Sequence, residues 1–202
     1  EARSRIPLTT HTLERWSRTI GAIGSFEVWH RLVSSQVAVI GCGRSGSQLA
    51  VNLARMGFRR IVLIDGDRVE RHNIGESAVF GEEQIGMNKS EALREALVSH
   101  NVNASLQCRS VTQPIGSAAG FEAVRESDRV ASCVDNDSAR LGAGILATSH
   151  HKSLLDIGTN IRLGPTERAG ERMSREMGAD VRLILPGDGC ILERLPLHHV
   201  AP

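Results

Sequence analysis

The sequence predicts an α/β protein built on a doubly wound, mostly parallel sheet with helices on both faces. Three observations predict it. Short apolar, β-branched stretches recur at Val37–Ile40, Ile61–Ile64, Ser105–Val111, Arg129–Val134 and Ser153–Asp156. The most apolar of them read as strands buried on both faces. Segments of helical character lie between them or follow them, at Ser47–Met56, Asn88–Ser99, Phe121–Glu126 and Asp137–Ser149. Such alternation implies crossover connections over a parallel sheet. The 20 glycines stand singly at turns rather than in a low-complexity run, which suits many tight strand–helix connections.

Taken in order, Thr10–Ile20 and Ser25–Ser34 carry helical patterns ahead of the first strand. Val37–Ile40 runs directly into Gly41-Cys42-Gly43-Arg44-Ser45-Gly46. In the helix that follows, Leu49, Leu53 and Met56 share a face, and Gly57 ends it. The second strand ends in Asp65-Gly66-Asp67. The polar stretch Arg68–Met87 then reads as a long functional loop with short helical turns. Asp137 is the predicted cap of the helix reaching Ser149. Beyond Ile161 the pattern weakens. Arg162–Gly178 is rich in Arg and Glu and is predicted to be mobile. Val181–Leu185 returns as a strand, and Pro186–Gly189 is a turn. The expected organisation is a helical segment over 1–35 packing on the core, a ligand-binding unit over 36–161, and a less regular extension of the same domain over 162–202.

Composition narrows the function. The 202 residues are 41% hydrophobic and 23% charged, as in an ordinary globular protein with one good-sized core. The net charge of +1 gives no long-range attraction to nucleic acid or anionic lipid, so direct binding to either is not expected. An anionic ligand must instead be held locally. No apolar run approaches the length needed to cross a bilayer. The four cysteines, Cys42, Cys108, Cys133 and Cys190, lie far apart, and three sit in or beside apolar segments. That usage suits buried thiols in a reducing cytoplasm. No pair has zinc-ligand spacing. The opening Glu-Ala-Arg-Ser-Arg resembles neither a signal peptide nor an initiator sequence, which reads as a piece of a longer chain.

The glycine loop is the first chemical signal. In Gly41-x-Gly43-x-x-Gly46 the first glycine permits the tight turn, the second lets a phosphate approach the backbone, and the third lets helix and strand pack closely. The helix N-terminus behind it favours an anion. Asp65, roughly 20 residues beyond the loop at the end of the second strand, suits a ribose hydroxyl pair. These features serve NAD and ATP equally. Asp67, Asn73, Lys89 and the pair Asp135-Asn136 break the tie. A hydride-transfer site needs no phosphate-neutralising lysine and no magnesium-holding aspartate. Attack on phosphorus is helped by both, because charge shifts toward the leaving pyrophosphate.

At this point the residues resemble a known family. The stretches GCGRSG, LIDGDRVERHNIG, IGMNKSEALREAL and CVDNDSAR look like those of ThiF/MoeB proteins, Rossmann-like relatives of the ubiquitin-activating enzymes. The resemblance covers about residues 14–160. That span takes in Arg15–Ile20 and Asp156–Thr159, and a weaker echo lies at Leu185–Cys190. It implies ATP and Mg2+ as cofactors. Gly41, Gly43 and Gly46 would line the phosphates, Asp65 would hold the ribose, and Asn73 and Lys89 would contact the phosphates with Asp67 close by. Asp135 would help hold magnesium, supported by Asn136 and Arg140. Arg18 would reach across a two-fold homodimer toward the partner's ATP. The implied partner is a ubiquitin-like or sulfur-carrier protein, whose C-terminal glycine carboxylate would attack the α-phosphorus.

The chain also departs from that pattern. Glu76 stands where the family usually has arginine, and Ser77 where it usually has glutamine. A carboxylate facing a triphosphate repels it, so Arg68 and Arg71 are the candidate counter-ions. Cys190-Ile191-Leu192-Glu193 keeps one cysteine of a zinc half-site, so no structural zinc is expected. Cys190 is also the nearest candidate for a thioester cysteine. Three other readings stay open: a catalytically attenuated dimeric interaction module, adenylation of a small-molecule or tRNA carboxylate, and an NAD-dependent oxidoreductase.

Overall fold

In the computed structural model the described residues are 10–77, 79–99, 103–163 and 175–188. Two helices, α1 (Thr10–Ile23) and α2 (Phe26–Val33), precede β1 (Gln36–Ile40). Then come α3 (Arg44–Met56), β2 (Arg60–Ile64), the short α4 (Arg71–Ile74), α5 (Lys89–Ser99), β3 (Gln107–Val111), α6 (Ala118–Glu126), β4 (Arg129–Ser132), α7 (Asp137–Ser149), β5 (Ser153–Leu163) and β6 (Arg175–Ile184). The sheet order is β3-β2-β1-β4-β5-β6. The first five strands are parallel, and β6 runs antiparallel to β5.

Strand alternation divides the core into two layers. Val37 and Val39 of β1, with Ile61 and Leu63 of β2, pack with Trp29 of α2, Ala50 of α3 and Leu93 of α5. Ala38 and Ile40, with Val62 and Ile64, face the other way against Ala123 of α6 and Ala143 of α7. Every one of these side chains is buried, so both faces of the central strands need apolar residues. The helices before β1 join the first layer through their tryptophans. Trp16 donates from its indole Nε1 to the carbonyl of Arg55, and Trp29 donates to that of Met56. The two rings lie 5.4 Å apart. Both indoles thus satisfy the C-terminal end of α3, whose cap Gly57 is left-handed at φ 105°.

The sequence pattern places the elements well and misses three details. α3 begins at Arg44 rather than Ser47 because the glycine loop itself winds into its first turn, closed by Ser47 N–H donating to the Gly43 carbonyl. The cap of α7 is Asn136, not Asp137: Asn136 Oδ1 accepts from Ala139 N–H at 2.8 Å. An uncharged amide serves this role as well as a carboxylate. The third concerns 162–178. β5 continues to Leu163 and β6 starts at Arg175, paired Leu163 with Arg175. An antiparallel ladder satisfies the backbone whatever the side chains, so the described part of this polar segment is strand rather than mobile loop.

The close approach at Gly46 generates a stability test. A Cβ there would overlap the carbonyl of Gly41, and backbone cannot swing aside as a long side chain can. Gly46→Ala is expected to lower stability by about 2 kcal/mol or more. Urea unfolding should record this as a lower midpoint at unchanged slope.

Candidate functional site

Strand order reverses beside β1. Its two neighbours, β2 and β4, lead outward in opposite directions, and a crevice opens at their carboxyl ends. Three backbone contacts hold these ends together. Gly41 N–H donates to the Ile64 carbonyl, Cys133 N–H to that of Ile40, and Asp65 N–H to that of Val111. Gly41 must be glycine here. Its φ is +85°, and a Cβ would lie 2.8 Å from the Cys133 carbonyl oxygen.

The crevice is a pocket of about 440 Å³, within the range typical of small-molecule sites. It gathers Gly41, Gly43, Asp65, Asp67, Asn73, Lys89, Asp135 and Asn136. Around Gly43 no heavy atom lies within 4 Å of where a Cβ would stand, so the loop is open on its pocket side.

Each polar group has a definite setting. Asp65 uses one carboxylate oxygen to accept from Cys42 N–H at 2.6 Å and the other to accept from Asp67 N–H at 2.8 Å. Each oxygen keeps a second lone pair for a ligand hydroxyl. Burial pushes the Asp65 carboxyl above its usual range, against the pull of these two hydrogen bonds. Lys89 opens α5, and its Nζ lies 3.1 Å from Asp67 Oδ2. Asn88 fixes this junction by donating to the Asp65 carbonyl and accepting from Ser90 N–H. Asn73 is buried and accepts from Glu70 N–H through Oδ1. Asp135 is exposed and has no ion-pair partner among the described residues.

Three predicted site residues fall outside the pocket lining. Gly46 lies at the helix–strand packing contact with Gly41. Arg140 sits behind the β4 loop. It donates to the Val134 carbonyl at 3.0 Å and lies 3.3 Å from the fully buried Asp156. Arg182 of β6 approaches the same carboxylate at 3.7 Å. Neither approach has hydrogen-bond geometry, so Asp156 is held by charge rather than by directed bonds. Arg18 is exposed on α1. Cys190 lies outside the described residues.

Sequence reasoning missed Arg44 and misassigned the partner of Glu76. Arg44 Nη2 lies 2.9 Å from Glu76 Oε1, and both residues line the pocket. The candidate counter-ions are engaged elsewhere: Arg71 pairs with Glu82, and Arg68 donates to the Gly86 carbonyl. The available signal was a cation inside the glycine loop itself. Thr159 and Pro114 also line the pocket; Thr159 lies in a stretch that resembles the family but carries no implied role, and nothing in the local pattern marked Pro114.

Fold and pocket together define a Rossmann-like α/β protein with its glycine loop and acids at the switch point. The chain belongs to the ThiF family, which residues 16–165 match. It is 30% identical over 153 residues to SUMO-activating enzyme subunit 2 of Dictyostelium discoideum, covering 75% of this chain and 22% of that protein. It is 34% identical over 110 residues to the adenylyltransferase and sulfurtransferase MOCS3 of Mus musculus, covering 54% of this chain and 24% of that protein. The chain thus spans about a quarter of the length of these relatives. Among solved structures, E. coli MccB with ATP superposes with a TM-score of 0.67 at 22% identity, over 87% of this chain and 50% of that one. At that identity the likeness concerns the fold.

One thiol in the pocket can be tested directly. Burial and the nearby Asp156 carboxylate push the Cys133 thiol up to about 12, and burial does the same for Cys108. Both are therefore expected to stay protonated near neutrality and to be poor nucleophiles. Iodoacetamide at pH 8 should label them on the order of 100-fold more slowly in the folded chain than in urea. Peptide mass spectrometry would read the rates.

Proposed function

We propose that this chain binds ATP with magnesium and adenylates the C-terminal carboxylate of a ubiquitin-like or sulfur-carrier protein. The observation that carries this reading is one pocket holding an open glycine loop, the Lys89 ammonium and the Asp135 carboxylate, which has no ion-pair partner among the described residues. The names of the relatives add support: one is an adenylyltransferase, one activates SUMO, and MccB has been solved with ATP.

In this reading the triphosphate lies on the glycine loop and the N-terminus of α3, where backbone N–H groups favour an anion. Asp65 accepts the ribose hydroxyls with its remaining lone pairs. Asn73 offers its amino group and Lys89 its ammonium to the phosphates. A magnesium ion needs only one or two protein carboxylates beside phosphate oxygens. Asp135 fits that need, because the other pocket carboxylates already have partners. Bound there, the ion would neutralise charge building on pyrophosphate. A carboxylate oxygen of the carrier attacks the α-phosphorus as the bond to the bridging oxygen breaks. Pyrophosphate leaves with the electron pair, and an acyl-adenylate remains. Arg140 acts behind the site, holding the loop that carries Asp135. Arg18 acts from a second copy of the chain, on the homodimer's opposite site.

Glu76 is the ground for the attenuated-module alternative. The guanidinium of Arg44 beside it weakens that ground, since a cation lying between the carboxylate and the phosphates offsets the repulsion.

Two measurements test the proposal. Calorimetry should find Mg-ATP binding and no comparable NAD binding, and pyrophosphate should exchange into ATP when the right carrier is added. Tight NAD binding without ATP binding would sink the reading. For the dimer, sedimentation should find two copies associated at micromolar concentration. Arg18→Ala and Asp135→Ala chains, each inactive alone, should regain activity when mixed. A monomer, or mixed chains that stay dead, would remove the trans role of Arg18.

A further inference from the structure

The pocket carries more negative than positive charge. Its lining carries four carboxylates, Asp65, Asp67, Glu76 and Asp135, against two permanent cations, Arg44 and Lys89. A triphosphate would enter a site that is already net negative. Lys89 is largely enclosed and tied to Asp67. Arg140 lies outside the lining, committed to the Val134 carbonyl and near Asp137 and Asp156. Arg44 is therefore the guanidinium available at this site among the described residues. It is the first residue of α3, immediately after Gly43, where a ligand's phosphates would approach the backbone.

We propose that Arg44 is the phosphate-binding arginine of this pocket and that Glu76 is its counter-ion until an anion arrives. The inference rests on the nucleotide reading above and adds a residue to it. The charge that relatives of this type would place at position 76 is instead supplied from the glycine loop, on the facing wall. The pair suits an exchange of partners. Its side chains are 60% and 40% exposed, so their bond is solvated and weak. A planar guanidinium pairs with phosphate in two-pronged geometry that a single 2.9 Å contact to a carboxylate does not match. Glu76 itself is held at the end of α4 by its N–H donating to the Asn73 carbonyl. Its carboxylate thus marks where Arg44 waits.

The test is calorimetry on the full chain with Mg-ATP and with adenosine. Arg44→Ala is expected to weaken ATP binding by about tenfold or more and leave adenosine binding unchanged. Arg44→Lys should fall between, because it keeps the charge and loses the fork. The decisive variant is the swap Arg44→Gly with Glu76→Arg, which moves the cation across the pocket. It is expected to recover most of the lost ATP affinity, which a bridge that merely ties α3 to α4 would not do. Parent-like ATP binding by Arg44→Ala would overturn the proposal. So would equal weakening of ATP and adenosine, or a swap that recovers nothing while melting as the parent does. If the parent binds adenosine and ATP alike poorly, the nucleotide reading itself fails, and this inference with it.

Discussion

The site depends on how closely three strand ends can approach one another. β1, β2 and β4 finish within hydrogen-bonding reach, with Gly41 bonded to Ile64 and Cys133 bonded to Ile40. No side chain fits between Gly41 and the Cys133 carbonyl, or between Gly46 and Gly41. The two glycines let α3 start directly above the sheet. The helix N-terminus, the Asp65 carboxylate and the Asp135 loop then share one crevice. A larger residue at either position would push the loop away from the strands and spread these groups apart.

Charge is arranged around that crevice in two shells. Inside it, Asp67 faces Lys89 and Glu76 faces Arg44, while Asp65 spends its two oxygens on backbone N–H groups. Asp135 alone of the pocket carboxylates lacks such a partner among the described residues. Behind it, the buried Asp156 lies between Arg140 of α7 and Arg182 of β6. Burying a carboxylate without directed hydrogen bonds is costly, and two guanidinium groups nearby offset part of that cost. Because Arg140 also holds the Val134 carbonyl, this cluster connects the antiparallel edge of the sheet to the loop carrying Asp135.

The two tryptophans extend the same economy to the N-terminal helices. Residues that are large and apolar but carry one polar N–H can cover a helix end and satisfy its carbonyls together. Trp16 and Trp29 do both at the C-terminus of α3. The helix that begins at the glycine loop is thereby fixed at its far end, which holds the loop's direction relative to the sheet.

The sequence by itself determined the strand–helix alternation, the parallel sheet and most of the pocket. Val37–Ile40 and Ile61–Ile64 are read correctly because burial on both faces forces a continuous apolar run. Gly41, Asp65 and Asp135 are legible because ligands of such sheets gather where strands end, whatever their separation along the chain. Tertiary structure alone decided the partners. Arg44 meets Glu76 across 32 positions, and Arg182 reaches Asp156 because β6 folds back against β5. It also decided that Asn136 caps α7 and that Gly46, read from the sequence as a packing glycine, stands outside the pocket wall. The physical reason is that periodicity and turn chemistry act within a few residues. An ion pair or a close backbone approach depends on where separate crossovers bring their loops, which no local pattern records.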